Sequence, residues 1–171
     1  IDLATFADCR AGASGRAKAG AQMLNERVIN SLFYDQTILV ENENDRVVYE
    51  HFCQQRLYAE FQGRHFIGLN GSGTVLVLFD LMASAKMSVC CIMDIDFLLN
   101  TEANSSFVNQ VAPLLREKHF RFASDMHTKD DYDEVKKSLK KKGLEAFDEQ
   151  SRAVAEELIE EYGQYGVHII P

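Results

Sequence analysis

Ile38-Leu39-Val40-Glu41-Asn42 and Val89-Cys90-Cys91-Ile92-Met93-Asp94-Ile95-Asp96 are two apolar runs that each end in carboxylates. A strand buried on both faces reads as an unbroken apolar run, and the carboxyl ends of parallel strands are where such a sheet presents polar groups. The two runs predict parallel strands. If they are neighbours, their acidic ends meet at one rim of the sheet.

The segments around them keep a strand–helix–strand rhythm. Residues Ala17 to Phe33 carry Met23, Leu24, Val28 and Leu32 near a period of 3.6, which predicts a helix ahead of the first strand, Thr37 to Val40. Asn44 is a candidate cap for a second helix, Asp45 to Phe61, with Val48, Tyr49, Phe52 and Cys53 facing inward. Gly63 ends that helix, and His65 to Gly68 reads as a short second strand. After the turn Asn70-Gly71-Ser72-Gly73, the residues Val75, Leu78, Phe79 and Met82 recur at helical spacing; a strand through 75–79 is the local alternative, and the surrounding rhythm favours the helix. The third strand is expected from Ser88 to Met93.

Asn100 to Ser106 reads as a loop, and Pro113 stands where a helix starts. Further helices are expected near Asp131 to Lys141, with Tyr132, Val135 and Leu139 in register, and over Asp148 to Tyr162, with Ala155, Leu158, Ile159 and Tyr162 inward. Gly163 or Gly166 ends the last one before a final strand, Val167 to Ile170. The order predicts an α/β fold: a Rossmann-like parallel sheet of about four strands with helices on both faces.

The chain has 171 residues, 46% of them hydrophobic, and no Gly/Ser-rich or Pro-rich linker, which points to one well-buried core. It runs from Ile1 to Pro171, and the expectation is of an excised or processed piece. Cys9, Cys53, Cys90 and Cys91 show no CxxC spacing, and the last two fall inside an apolar strand, so reduced buried thiols and a cytoplasmic setting are expected. No apolar stretch reaches the roughly 20 residues of a membrane span, and no secretion signal opens the chain. The net charge of −8 argues against bulk attraction to nucleic acid. Basic residues are nonetheless clustered at Lys136, Lys137, Lys140, Lys141 and Lys142.

Glu41 closes the first strand and Asp45 follows four residues on, over the same strand-to-helix turn. Asp94 and Asp96 close the third, and alternation along a strand would point both to one side. Magnesium takes oxygen ligands in octahedral geometry, and two ions about 4 Å apart can bracket a scissile phosphate. Acids after strands also serve as ordinary caps and solvated turn residues; the joint placement of four favours the metal. Glu43 points the other way and reads as solvated.

The run Ile38-Leu39-Val40-Glu41-Asn42-Glu43-Asn44-Asp45 resembles the first motif of a toprim domain, an apolar strand followed by Glu-Gly-x-x-Asp, and Asp94-Ile95-Asp96 resembles its Asp-x-Asp motif. Asn30-Ser31-Leu32-Phe33-Tyr34-Asp35, the Gly68 to Gly73 turn and Tyr165-Gly166-Val167-His168-Ile169-Ile170-Pro171 bring the resemblance closest to the toprim portion of OLD-family (overcoming lysogenisation defect) nucleases. It divides the chain into a helical lead-in, 1–34, and a toprim-like domain, 35–171. The resemblance implies a DNA endonuclease dependent on Mg2+ or Mn2+, often joined to an ABC-type ATPase and acting in defence against phage, with homo-oligomer formation a further expectation. Glu41 is then a metal ligand or general base, Asp94 and Asp96 are metal ligands, and Asp45 is a further ligand or an outer partner.

Two departures stand out: Asn42 replaces the usual glycine, though asparagine tolerates left-handed backbone, and the family's further acidic motif and lysine are expected downstream of Pro171. Both departures and the net charge suit a second possibility, a toprim-like module that has lost catalysis and serves assembly or regulation. Strand-passing and priming toprim proteins carry extra domains absent from this sequence.

The remaining motifs are weaker. Gly71-Ser72-Gly73-Thr74 lacks the lysine and spacing of a phosphate loop and reads as a turn with a helix start, although its N–H groups could meet phosphate. His51, His65, His119, His127 and His168 lack zinc spacing, and His127, near Asp125, is the one to watch. The lysine cluster reads first as a solvated helix face and second as a contact for a nucleic-acid backbone.

Overall fold

Both apolar runs that end in carboxylates become strands in the computed structural model of the chain, which describes residues 26–56, 58–101, 105–128 and 131–171. The order is α1 (Glu26–Asn30), a 3-10 turn (Ser31–Phe33), β1 (Gln36–Val40), α2 (Glu43–Arg56), α3 (Tyr58–Phe61), β2 (Arg64–Gly68), α4 (Ser72–Ser84) and β3 (Val89–Asp94). It continues through a 3-10 turn (Ile95–Leu99), α5 (Ser106–Val111), α6 (Pro113–His127), α7 (Tyr132–Lys142), a 3-10 turn (Gly143–Ala146), α8 (Glu149–Gln164) and β4 (Val167–Ile170). The four strands form an all-parallel sheet in the order β2-β1-β3-β4, the expected Rossmann-like α/β class. Among the described residues no helix is long and apolar enough to cross a membrane.

The contacts divide the chain into two compact units, one up to Cys91 and the other from Ile92. In the first, β1 pairs with β2 in parallel, Gln36 against Arg64 through Val40 against Gly68. Ile38, Leu39 and Val40 are buried with Phe66 and Ile67 of β2 and with Val75, Leu76, Leu78, Phe79 and Met82 of α4. Burying each such side chain contributes about 1.5–3 kcal/mol, so α4, apolar on most of its surface, is held by packing. That settles the helix-or-strand ambiguity at 75–79 in favour of the helix.

Gly63 ends α3 at φ +88°, and its carbonyl accepts from the N–H groups of Asp35 (2.7 Å) and Gln36 (3.1 Å), tying the entry of β1 to the entry of β2. A left-handed backbone of this kind favours glycine because no Cβ is crowded.

The second helix departs from expectation in two ways. Its cap is Asn42, not Asn44: the Asn42 Oδ1 accepts from the Asp45 N–H at 2.9 Å, while Asn42 Nδ2 donates to Asp45 Oδ2 at 2.5 Å. The inward face is also turned. Val48 and Phe52 are 63% and 57% exposed, while Asp45, Tyr49 and Cys53, one i,i+4 row, are half-buried. Arg46, bonded to Glu43 and Glu50, also lies on the half-buried side.

The second unit is mostly helical. Ser105 caps α5 by accepting from Val108 N–H at 3.1 Å, so a short helix occupies part of the stretch read as a loop or left unassigned; 102–104 lie outside the described residues. Pro113 takes the first turn of α6, as expected. Asp148 caps α8 by accepting from Ser151 N–H, and Ala155, Leu158 and Tyr162 are buried as anticipated, with Ile159 at the margin. The helix runs past Gly163 and is closed before Gly166, at φ +81°. Lys118 of α6 pairs with Glu157 (2.5 Å) and Glu161 (2.7 Å) of α8, and Leu139 is the buried anchor of α7. Of the helix predicted over 17–33, the part from Glu26 is described; Met23 and Leu24 lie outside the described residues, as does Cys9.

Candidate functional site

In the first unit the acidic strand end is built on a backbone ladder that continues past β1. Leu69 N–H donates to Val40 C=O (3.0 Å) and Gly71 N–H to Glu41 C=O (2.8 Å), so the turn before α4 is stitched to the stretch that carries Glu41. Glu41 is half-buried, one residue beyond the strand. Its charge is felt by the Cys91 thiol, which burial above all, then Cys90, Asp80 and Glu41, hold well above the ordinary cysteine range. Cys90 is pushed up to about 11 by the same burial. Both thiols are therefore protonated and unreactive near neutrality. Asp80, the second acid acting on Cys91, belongs to neither acidic motif; its break in the apolar run of α4 is the signal that marks it.

Asn42 explains its own presence. Lys86 is the one non-glycine residue at positive φ among the described residues, so Asn42 is not there to supply left-handed backbone. It supplies a capping oxygen that glycine lacks, and the reciprocal pair with Asp45 satisfies the first turn of α2. Asp45 thereby shares one carboxylate oxygen with Asn42. Glu43 is exposed but not merely solvated: it bonds Arg46 Nε at 2.9 Å and lies against Gly68.

Gly68 allows this close approach. A Cβ there would stand 2.8 Å from Asn42 O, Glu43 Cα and Glu43 Oε2. The end of β2 thus passes directly under the connection that follows Glu41.

In the second unit, Asp94 is the last residue of β3 and is exposed. The strand then tightens into the 3-10 turn 95–99, so the alternation invoked to point Asp94 and Asp96 to one side stops at Asp94. Asp96 is half-buried, and its Oδ2 lies 3.4 Å from Lys140 Nζ of α7.

The same turn is held from behind by α6. His119 Nε2 donates to Leu98 C=O (3.1 Å) and His127 Nε2 to Leu99 C=O (3.0 Å). With Nε2 protonated, His119 Nδ1 accepts from the Tyr162 hydroxyl at 2.8 Å, and its ring packs on Phe97. Burial keeps His119 below the ordinary histidine range, against the opposing pull of its bonds to Leu98 and Phe97. His127 stacks on Tyr132 at 4.1 Å. His119 is buried, whereas His127 is exposed and is occupied by Leu99 and Tyr132; both orient the turn that carries Asp96.

Carboxylate oxygens such as these suit Mg2+ or Mn2+ in donor chemistry. In arrangement they are less complete: among the described residues no three His, Cys, Asp or Glu side chains are gathered closely enough to hold an ion. Glu41 and Asp45 flank the Asn42 cap, and Asp94 and Asp96 flank Ile95.

Comparison with known proteins bears on one segment. Residues 32–96 match the family described as Overcoming lysogenization defect protein-like, TOPRIM domain. No curated protein and no solved structure matches. The matched segment opens just before β1 and closes on Asp96, so it contains both acidic strand ends and the glycine turn between them. Residues 32–96 are thus identified as part of a toprim domain close to that of the OLD family.

Proposed function

We propose that this chain is a metal-dependent endonuclease domain that nicks or cleaves DNA phosphodiester bonds. Glu41 acts in it as a metal ligand or general base, Asp94 and Asp96 as ligands, and Asp45 as a further ligand or an outer partner of the site. The observation that carries the reading is the OLD-like toprim match over 32–96, which brackets both carboxylate-ended strands. A bound Mg2+ or Mn2+ would supply Lewis-acid activation of water and of the leaving oxygen. The chain's own contribution is local to each unit: the ladder from Val40 and Glu41 to Leu69 and Gly71 in the first, and the histidine-held turn at 95–99 in the second. An ABC-type ATPase as partner, self-association, a cytoplasmic location and a role in defence against phage belong to the same proposal.

The test is nicking of supercoiled plasmid with Mn2+ and with chelator, comparing wild type with Glu41→Ala and Asp94→Ala. Manganese-dependent nicking abolished by either substitution is expected. Nicking that both variants retain would sink the proposal.

A second reading, a non-catalytic toprim-like module for assembly or regulation, draws support from two observations. No group of three candidate ligands stands among the described residues, and α2 exposes Val47, Val48 and Phe52. Calorimetric titration with Mn2+ separates the two: no heat of binding, unchanged in Asp94→Ala, favours the module.

A further inference from the structure

A chain with 26 acidic and 18 basic residues repels a polyanion as a whole. A nucleic-acid substrate therefore needs a local cationic surface beside the acidic residues that act on it. Five of those 18 cations fall between Lys136 and Lys142, on α7. The helix is anchored by Leu139, and Lys136, Lys137, Lys140, Lys141 and Lys142 are all exposed. Lys136 and Lys140 are four residues apart and so share one side of the helix, with Lys137 and Lys141 forming the adjacent row.

Lysines in the last turn of a helix also complement its dipole. That accounts for Lys140 to Lys142 but not for Lys136 and Lys137. It does not account for the direction of Lys140 either, whose ammonium reaches Asp96 of the Asp-x-Asp turn at 3.4 Å, in a pair whose lysine is 64% exposed. A pair of that length on a largely exposed lysine does little to hold the ammonium in place. Lys140 is thus a cation poised at the acidic turn, free to trade a carboxylate for a phosphate.

We propose that the lysine side of α7, led by Lys136 and Lys140, is the track that holds the sugar-phosphate backbone of duplex DNA leading away from the Asp-x-Asp turn. The inference rests on the nuclease reading above and names the surface that its substrate occupies. Lys140 exchanges Asp96 for a phosphate oxygen when the duplex arrives, and Lys136, one turn along, takes a neighbouring phosphate.

The experiment is fluorescence anisotropy of a labelled mixed-sequence duplex titrated with the full chain at several salt concentrations. Wild type is compared with Lys136→Gln/Lys140→Gln and with Arg121→Gln, an exposed site on α6, and plasmid nicking is measured in parallel. Each phosphate contact contributes about 0.9 to the slope of log affinity against log salt. The double variant should flatten that slope by about two while Arg121→Gln leaves it unchanged. An unchanged slope in the double variant, with nicking that still depends on Glu41, overturns the track and leaves the nuclease reading standing. No duplex binding together with no Glu41-dependent nicking overturns both. Lysine-dependent binding to phosphatidylserine vesicles without duplex binding overturns the track in favour of a membrane surface.

Discussion

Replacing Gly68 by alanine tests the close passage of β2 under the connection that follows Glu41. The added Cβ would lie 2.8 Å from Glu43 Cα, whereas carbon atoms rest at about 3.5–4.0 Å. The Glu43 carboxylate can swing aside, but Asn42 O and Glu43 Cα are main-chain atoms, so the end of β2 and the connection must part by about 0.7 Å or more. Overpacking of this kind costs about 1–3 kcal/mol. Taking about 2 kcal/mol and a urea dependence of about 2 kcal/mol per molar, the midpoint of the affected transition should fall by about 1 M.

Gly73→Ala is the matched control. Nothing lies within 4 Å of its Cβ and the residue sits in the first turn of α4, so alanine should be neutral or stabilising by up to about 1 kcal/mol. Urea titrations followed by circular dichroism measure both. Hydrogen exchange at the Leu69 and Gly71 amides reports whether the ladder to Val40 and Glu41 loosens in Gly68→Ala alone. If the two variants denature at the same midpoint, or if Gly68→Ala matches wild type, the close approach does not exist as described.

Three further outcomes follow from buried groups. Tyr162→Phe removes the donor to His119 Nδ1 and leaves a buried acceptor unpaired, at a cost of about 1–3 kcal/mol in urea unfolding; a change within error would mean that the pair is not made. His119 is held neutral in the folded state, whereas the unfolded chain takes up its proton below about pH 6.5. Its contribution is therefore fully present above that value and declines as pH falls towards the lower folded value. The midpoint of wild type should drop more than that of His119→Gln between about pH 7.5 and 5.5, and equal drops would refute this. Among Cys53, Cys90 and Cys91, half-buried Cys53 should be alkylated first by iodoacetamide, with the two strand thiols reacting after urea is added; mass spectrometry of the peptides reads the order, and early labelling of Cys91 would contradict its burial.

β1 and β3 were legible because burial on both faces writes itself as unbroken apolar sequence, and the starts of α6 and α8 were legible at Pro113 and Asp148. The face of α2 was not. Val48 and Phe52 look like a core row, yet they are exposed while Tyr49 and Cys53 are half-buried, and nothing in the local pattern marks that turn of the helix. The four acids could be named from two short motifs. Their surroundings could not: the Lys140 contact with Asp96 spans 44 positions, and the histidine bonds to Leu98 and Leu99 reach across 21 and 28. Such contacts are set by tertiary packing and leave no periodic trace. His119 could have been suspected from its place on the buried side of α6, between Leu115 and Phe122.

The two bonds that join Val40 and Glu41 to Leu69 and Gly71 also bear on how this chain can vary in length. Only Glu41 and Asn42 separate β1 from α2, and Gly68 leaves no room beneath them. An extra residue in either connection would break the ladder, shift the Asn42 cap and carry Glu41 away from its strand end. Insertions and fusion points should therefore be rejected at 41–43 and 69–71, however exposed those positions look.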